Sequence, residues 1–202
     1  MDPGVTLHLQ PPGPGPVRPP IPSYRLAMLI FLVAETMLFT GLMGGYLVLR
    51  YSVPMWPPEG QPLLPLAAGA VNLVLLAAAS LGIHGALRSL RRGASRGVSR
   101  WLALCLAAGS GFLLVLGVEW SQLRAEGLSP VTGGTYGALF YALTGCHALH
   151  VLAVWIWTVI LLVLALKGRL LPGRTGTVEM AGMFWHFVTL AWLFLFVILY
   201  LS

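Results

Sequence analysis

Residues 136–166 read YGALFYALTGCHALHVLAVWIWTVILLVLAL, a run with no aspartate, glutamate, lysine or arginine. At about 1.5 Å per residue, a helix of that length outreaches the ~30 Å hydrocarbon layer of a bilayer. The apolar residues are continuous and do not alternate, which argues against transmembrane β-strands. Similar runs lie at about 25–50, 63–87, 101–123 and 178–201. Between them stand helix breakers: Pro54, Pro57, Pro58, Pro62 and Pro65, then Pro130 to Gly134, then Pro172-Gly173. The expected fold is all-α, a polytopic membrane protein with five transmembrane helices in one bundle over residues 25–202. Residues 1–24 hold eight of the fifteen prolines, too many for a helix, and read as a flexible or polyproline-II arm. The arm lacks the apolar core and cleavage site of a secretory signal.

Composition agrees. Of 202 residues 57% are hydrophobic and only 9% charged, with a mean hydropathy of +0.84; soluble chains carry roughly 25% charged residues. Cys105 and Cys146 have no CxxC or metal spacing, so an iron–sulfur or structural zinc site is excluded, and no phosphate-binding glycine loop is present. The net charge of +6 comes from loop arginines and Lys167, a pattern that suits membrane orientation and not nucleic-acid binding. Arg18, Arg25, Arg88, Arg91, Arg92, Arg96, Arg100, Lys167, Arg169 and Arg174 fall on one side of the five spans, and only Arg50 and Arg124 on the other. By the positive-inside rule the N-terminus is expected in the cytoplasm, the segment 88–100 as a cytoplasmic loop, and the C-terminus outside.

Polar residues inside a bilayer are costly and mark sites worth testing. Glu35 lies ten residues into the first span, about 15 Å deep and near the midplane. No lysine or arginine stands in any span interior, so Glu35 is expected to be protonated, paired with histidine, or in contact with a lipid headgroup or water. His147 and His150 share a face of the fourth span, and the depth estimate sets His147 level with Glu35. His150 matches His186 in depth, as two ligands of a membrane haem would. Histidines in bundles also act as interhelical hydrogen-bonding glue. Glu119 and Glu179 lie near opposite ends of their spans and read equally as interfacial or functional, His84 as interfacial, and Trp155, Trp157, Trp185 and Trp192 as packing or lipid-facing. Gly41, Gly44 and Gly45, and Ala107, Ala108 and Gly111, offer smooth faces for close helix packing.

These residues carry a resemblance. Ala34-Glu35-Thr36-Met37-Leu38-Phe39 with Gly41 and Tyr46, the run Tyr136 to Tyr141 followed by Thr144-Gly145-Cys146-His147-Ala148-Leu149-His150-Val151, and Glu179 ahead of Trp185-His186-Phe187-Val188 and Trp192-Leu193-Phe194-Leu195-Phe196 stand in the order and spacing of subunit III of the haem–copper cytochrome c oxidases. Glu119-Trp120 falls where that family has Glu-Tyr. The chain resembles the short bacterial form, with five helices where full-length members have seven. Thr189 stands where the family usually has aspartate, which puts in doubt a polar network in the outer half of the last helix.

The resemblance implies a non-catalytic accessory subunit of a proton-pumping terminal oxidase in a bacterial inner membrane. Such a subunit has no metal site or redox centre of its own. Haem and copper belong to partner subunits, subunit I being the main contact and subunit II a further one, and the chain holds phospholipid and sustains proton uptake during oxygen reduction. It implies Glu35, His147, His150, Glu179, Trp185 and His186 as lipid-binding or buried polar residues, and Glu119 with Trp120 as a polar network. A subunit III-like partner of a nitric oxide reductase has similar motifs. From other classes, a small haem anchor would use His150 and His186. A proton-coupled transporter would use Glu35 and His147, but needs midplane helix breaks, and no proline lies inside a span beyond its first turn.

Overall fold

The structure, a computed structural model, describes residues 22–170 and 175–201. Most of the proline arm, the Pro172-Gly173 breaker, Arg174 and Ser202 therefore lie outside the described residues. Five α-helices follow in order: α1 Ser23–Tyr51, α2 Leu66–Arg91, α3 Ser95–Ala125, α4 Gly134–Leu166 and α5 Gly176–Phe196, the last continued by a π-helical turn, Val197–Leu201. All five are long and apolar enough to cross a membrane, and the described residues contain no strand.

Prolines start two of the helices and glycines stop three. Pro22 and Pro65 occupy the N-cap positions of α1 and α2, where a missing backbone N–H costs nothing. At the other ends Arg92-Gly93, Glu126-Gly127 and Lys167-Gly168 repeat one device: each glycine has positive φ, and the next residue's N–H reaches back to the carbonyl five residues earlier. Those bonds are Ala94 to Ser89 at 3.0 Å, Leu128 to Leu123 at 2.9 Å and Arg169 to Leu164 at 2.9 Å. Such Schellman caps satisfy carbonyls that would otherwise be orphaned at a helix end. The sequence reading weighed the prolines and overlooked these three glycines. As a result the segment 88–100, expected as a loop, is almost wholly helical: α2 and α3 both run on past the apolar layer, and only Arg92, Gly93 and Ala94 join them.

In the bundle α2 packs along α3, α4 lies against α3 and α5, and α5 touches α1, α2 and α4. The core is aromatic and fully buried at Trp185, Trp192, Phe112 and Phe140. Small residues let α2 and α3 close up, but not where the sequence suggested for α1. A Cβ on Gly82 would come 2.9 Å from the backbone nitrogen of Cys105, whereas Gly41, Gly44 and Gly45 would meet nothing within 4 Å. The glycine face of α1 is thus unused among the described residues, while Gly111 of α3 does pack, against Leu75. Helix α1 is peripheral, burying only Met28, Phe39 and Tyr46 along its length.

Candidate functional site

Four polar centres lie along the bundle. In the first, Glu35 Oε2 of α1 stands 2.8 Å from His150 Nε2 of α4, both side chains less than one-fifth exposed. His150 Nδ1 lies 2.7 Å from the Cys146 carbonyl. A carbonyl only accepts, so Nδ1 carries a proton and donates it. Phe39 sets its ring edge against His150 at 5.0 Å between centroids, and Phe184 at 6.3 Å. One turn along α1 opens a groove of about 540 Å³ between α1 and α5, lined by Thr36, Phe39, Thr40, Met43, Phe187 and Phe194 among others.

His147 was expected beside Glu35 and is elsewhere. It is fully buried, within 5.5 Å of the Phe112 ring and 5.2 Å of Trp192, and neither ring nitrogen has a hydrogen-bond partner among the described residues. Depth alone cannot separate His147 from His150, which lie only ~4.5 Å apart along the axis. Their ~60° angular offset decides: α1 packs on the side of α4 that shows His150, and His147 turns inward toward α3 and α5.

The second centre is at the end of the bundle where α2 and α4 begin. Glu119 is 1% exposed and accepts a 2.7 Å hydrogen bond from Tyr200 of the π-helical turn, its other oxygen having no partner among the described residues. Trp120 points differently: its Nε1 donates to Thr144 Oγ1 at 3.3 Å, so the neighbouring pair does not form one network. Asn72 of α2, a residue absent from the sequence-based candidates, is fully buried with neither amide atom partnered among the described residues. An asparagine inside an apolar run was the available signal.

The third centre joins α5 to its neighbours. Thr189 Oγ1 lies 2.8 Å from Ser80 Oγ and within reach of the Trp185 and Leu76 carbonyls, 2.8 and 3.2 Å away, between which its single proton is shared. A neutral hydroxyl network therefore ties α5 to α2 where the resemblance led one to expect aspartate. Trp185 is fully buried, its Nε1 donating to Thr158 Oγ1 at 2.9 Å, so it packs the core.

The fourth centre is the basic rim. Glu179, at the start of α5, binds Arg25 at 2.7 Å and Arg91 at 2.6 Å, and accepts from Tyr24 at 3.0 Å. One carboxylate thereby fastens α1, α2 and α5. His186 is exposed and lines a cavity of about 340 Å³ with Arg25, His84, Arg91 and Glu179. Phe184, two residues from His186 and so on the opposite side of α5, is the one that touches His150. His150 and His186 therefore do not face each other, and the haem-anchor geometry fails. Among the described residues no three His, Cys, Asp or Glu side chains gather as metal ligands would.

Comparison with known proteins bears on this arrangement. The family model for cytochrome c oxidase subunit III matches residues 21–202. Cytochrome c oxidase subunit 3 of Synechocystis sp. is 36% identical over 186 residues, covering 89% of this chain and 76% of the relative. Cytochrome bo(3) ubiquinol oxidase subunit 3 of Pseudomonas putida is 31% identical over 87% of this chain and 84% of its own. The pig cytochrome c oxidase subunit 3 is 30% identical, covering 87% and 68%. With five membrane-length helices, the glutamate–histidine pair between α1 and α4 and a match over nearly the whole chain, this protein belongs to the cytochrome c oxidase subunit III family.

Proposed function

We propose that this chain, as the accessory subunit III of an oxygen-reducing terminal oxidase, holds phospholipid along α1 and α5 against subunit I and so sustains proton uptake during turnover. The observation that carries the reading is the Glu35–His150 contact, which Phe39 joins to the α1–α5 groove that it lines. Apolar residues and two threonines line a groove of acyl-chain character, and Phe39 of its wall also lies against His150 of the polar pair. Helix α1 exposes Leu29, Ile30, Val33, Met37 and Val48 on its outer surface, apolar area that calls for lipid or a partner subunit. The electrons would pass through haem and copper held in partner subunits, subunit II among them, with no step in this chain. The named relatives serve oxidases of cytochrome c and of ubiquinol, which supports an oxidase over a nitric oxide reductase. The basic rim would face the cytoplasm of a bacterial inner membrane, with the C-terminus outside.

The test is oxygen consumption by the purified complex, followed from its initial rate to inactivation, for Glu35→Gln and Glu35→Ala. Both variants should keep the metal-centre spectra, and Ala should shorten active lifetime more than Gln. If Glu35→Ala equals the parent in initial rate, in lifetime and in labelling by an apolar carbodiimide, the pair is mere helix packing and the reading fails.

A further inference from the structure

The basic rim is short of acid. Among the described residues Glu179 is the only carboxylate at that rim, and Arg25 and Arg91 occupy it. Arg88 and Arg92 have no ion-pair partner among the described residues and are exposed. Arg88 lies in the last turn of α2 and Arg92, four residues on, is its C-cap, with His84 a further turn in, so the three fall on one face. That face borders a slot of about 600 Å³ between α2 and α3, whose far wall is Trp101 and whose inner end is Leu81 and Leu104. Gly85 makes the wall: a Cβ there would run into the Trp101 indole, so the ring lies flat on the glycine and its position is set by packing. Leu81 and Leu104 are exposed at 69% and 46%, and from Ala78 to Arg92 the face changes from apolar to cationic over about 21 Å.

We infer that this slot binds an anionic phospholipid, its phosphate on Arg88 and Arg92 and one acyl chain along Leu81 and Leu104. The shape argues for an amphiphile, because a soluble anion would use the arginines and leave the apolar end idle. The charge argues for an anionic head, because two arginines and a histidine meet no carboxylate in the slot. Arginine pairs with phosphate in planar, two-pronged geometry, and Trp101 stands at the height where indoles favour the interface. The site lies on the α2–α3 face and does not depend on the α1–α5 groove.

Native mass spectrometry of the intact complex, purified through a tag on this chain and stripped of loosely held lipid, tests the assignment. The complex is equilibrated with dioleoylphosphatidylglycerol, with dioleoylphosphatidylcholine, or with phosphatidylglycerol in the presence of millimolar inorganic phosphate. The parent should retain phosphatidylglycerol in preference to phosphatidylcholine, and phosphate should not displace it. Arg88→Gln/Arg92→Gln should weaken retention about 30-fold, the loss expected for two surface arginines near an anionic head. Arg96→Gln/Arg100→Gln removes equal charge from the same rim but outside the slot and should retain the lipid. Equal retention by all three proteins, equal loss in both double variants, or no preference for the anionic head each overturns the site. Displacement by phosphate overturns the lipid assignment in favour of a free-phosphate site.

Discussion

Glu35 and His150 meet across the α1–α4 boundary with 2.8 Å between Oε2 and Nε2, while the His150 Nδ1 proton is committed to the Cys146 carbonyl 2.7 Å away. Two acceptors cannot face each other at that distance, so a proton lies in the Glu35–His150 contact, on the carboxyl or on the imidazole. In either form the pair has no net charge, which lowers the cost of keeping both groups in an apolar layer.

The pair should therefore be energetically coupled and the neighbouring histidine should not. A double-mutant cycle of Glu35→Gln with His150→Gln, read as unfolding midpoints of the full chain in mixed detergent micelles, should give a coupling of about 1 kcal/mol. The same cycle with His147→Gln should give none. Coupling to His147 and not to His150 would contradict the geometry.

Glu179 is the fastening of α1. Tyr24 and Arg25 reach it from α1 and Arg91 from α2, whereas deeper in the bundle α1 buries few residues. Glu179→Gln should lower the thermal midpoint by about 2–4 °C, as a loss of roughly 1 kcal/mol does in a chain of this size. It should also speed protease cleavage near Pro22, detected by mass spectrometry. An unchanged cleavage rate would mean that α1 is held by its remaining contacts, the Glu35–His150 pair among them, without Glu179.

The two glycine faces should respond oppositely to a methyl group. Gly82→Ala drives a Cβ to 2.9 Å from the Cys105 backbone nitrogen, and because backbone cannot rotate aside the helices must part, at about 1–3 kcal/mol. Gly41→Ala meets nothing within 4 Å and should leave stability unchanged or raise it by up to about 1 kcal/mol. Far-UV circular dichroism through the detergent unfolding transition measures both.

Asn72 hides two amide atoms with no partner among the described residues. Replacing such a group by an apolar one of similar size removes a desolvation cost without breaking a bond within the protein. Asn72→Leu should therefore match or exceed the parent midpoint. Tyr200→Phe, which strips Glu119 of its 2.7 Å donor, should cost about 1–3 kcal/mol of stability and lower the midpoint.

Orientation can be read by labelling. Ser95 and Glu59 are exposed at opposite rims, so in a chain with Cys105 and Cys146 replaced, a cysteine at Glu59 should react with an impermeant reagent outside intact cells and one at Ser95 should not. The reverse pattern would invert the topology.

What the sequence determined by itself was everything that depends on position along the chain. Continuous apolar runs settle the number of membrane-length helices, because burial in hydrocarbon is additive over neighbouring residues. Proline and arginine placement marks where those runs enter and leave the layer, and the glutamate and histidine motifs identify the family. Helix ends were legible too, but in the glycines at 93, 127 and 168 more than in the prolines. Tertiary structure decided rotation and partnership. Depth advances a fixed ~1.5 Å per residue and can be counted, but which side of a helix meets which neighbour depends on the packing of both. So His150 and not His147 holds Glu35, Glu179 gathers arginines from two other helices, Gly85 seats Trp101, and Gly41, Gly44 and Gly45 of α1 leave room for a Cβ among the described residues. Each outcome turns on an angle about a helix axis, fixed only when all five helices close on one another.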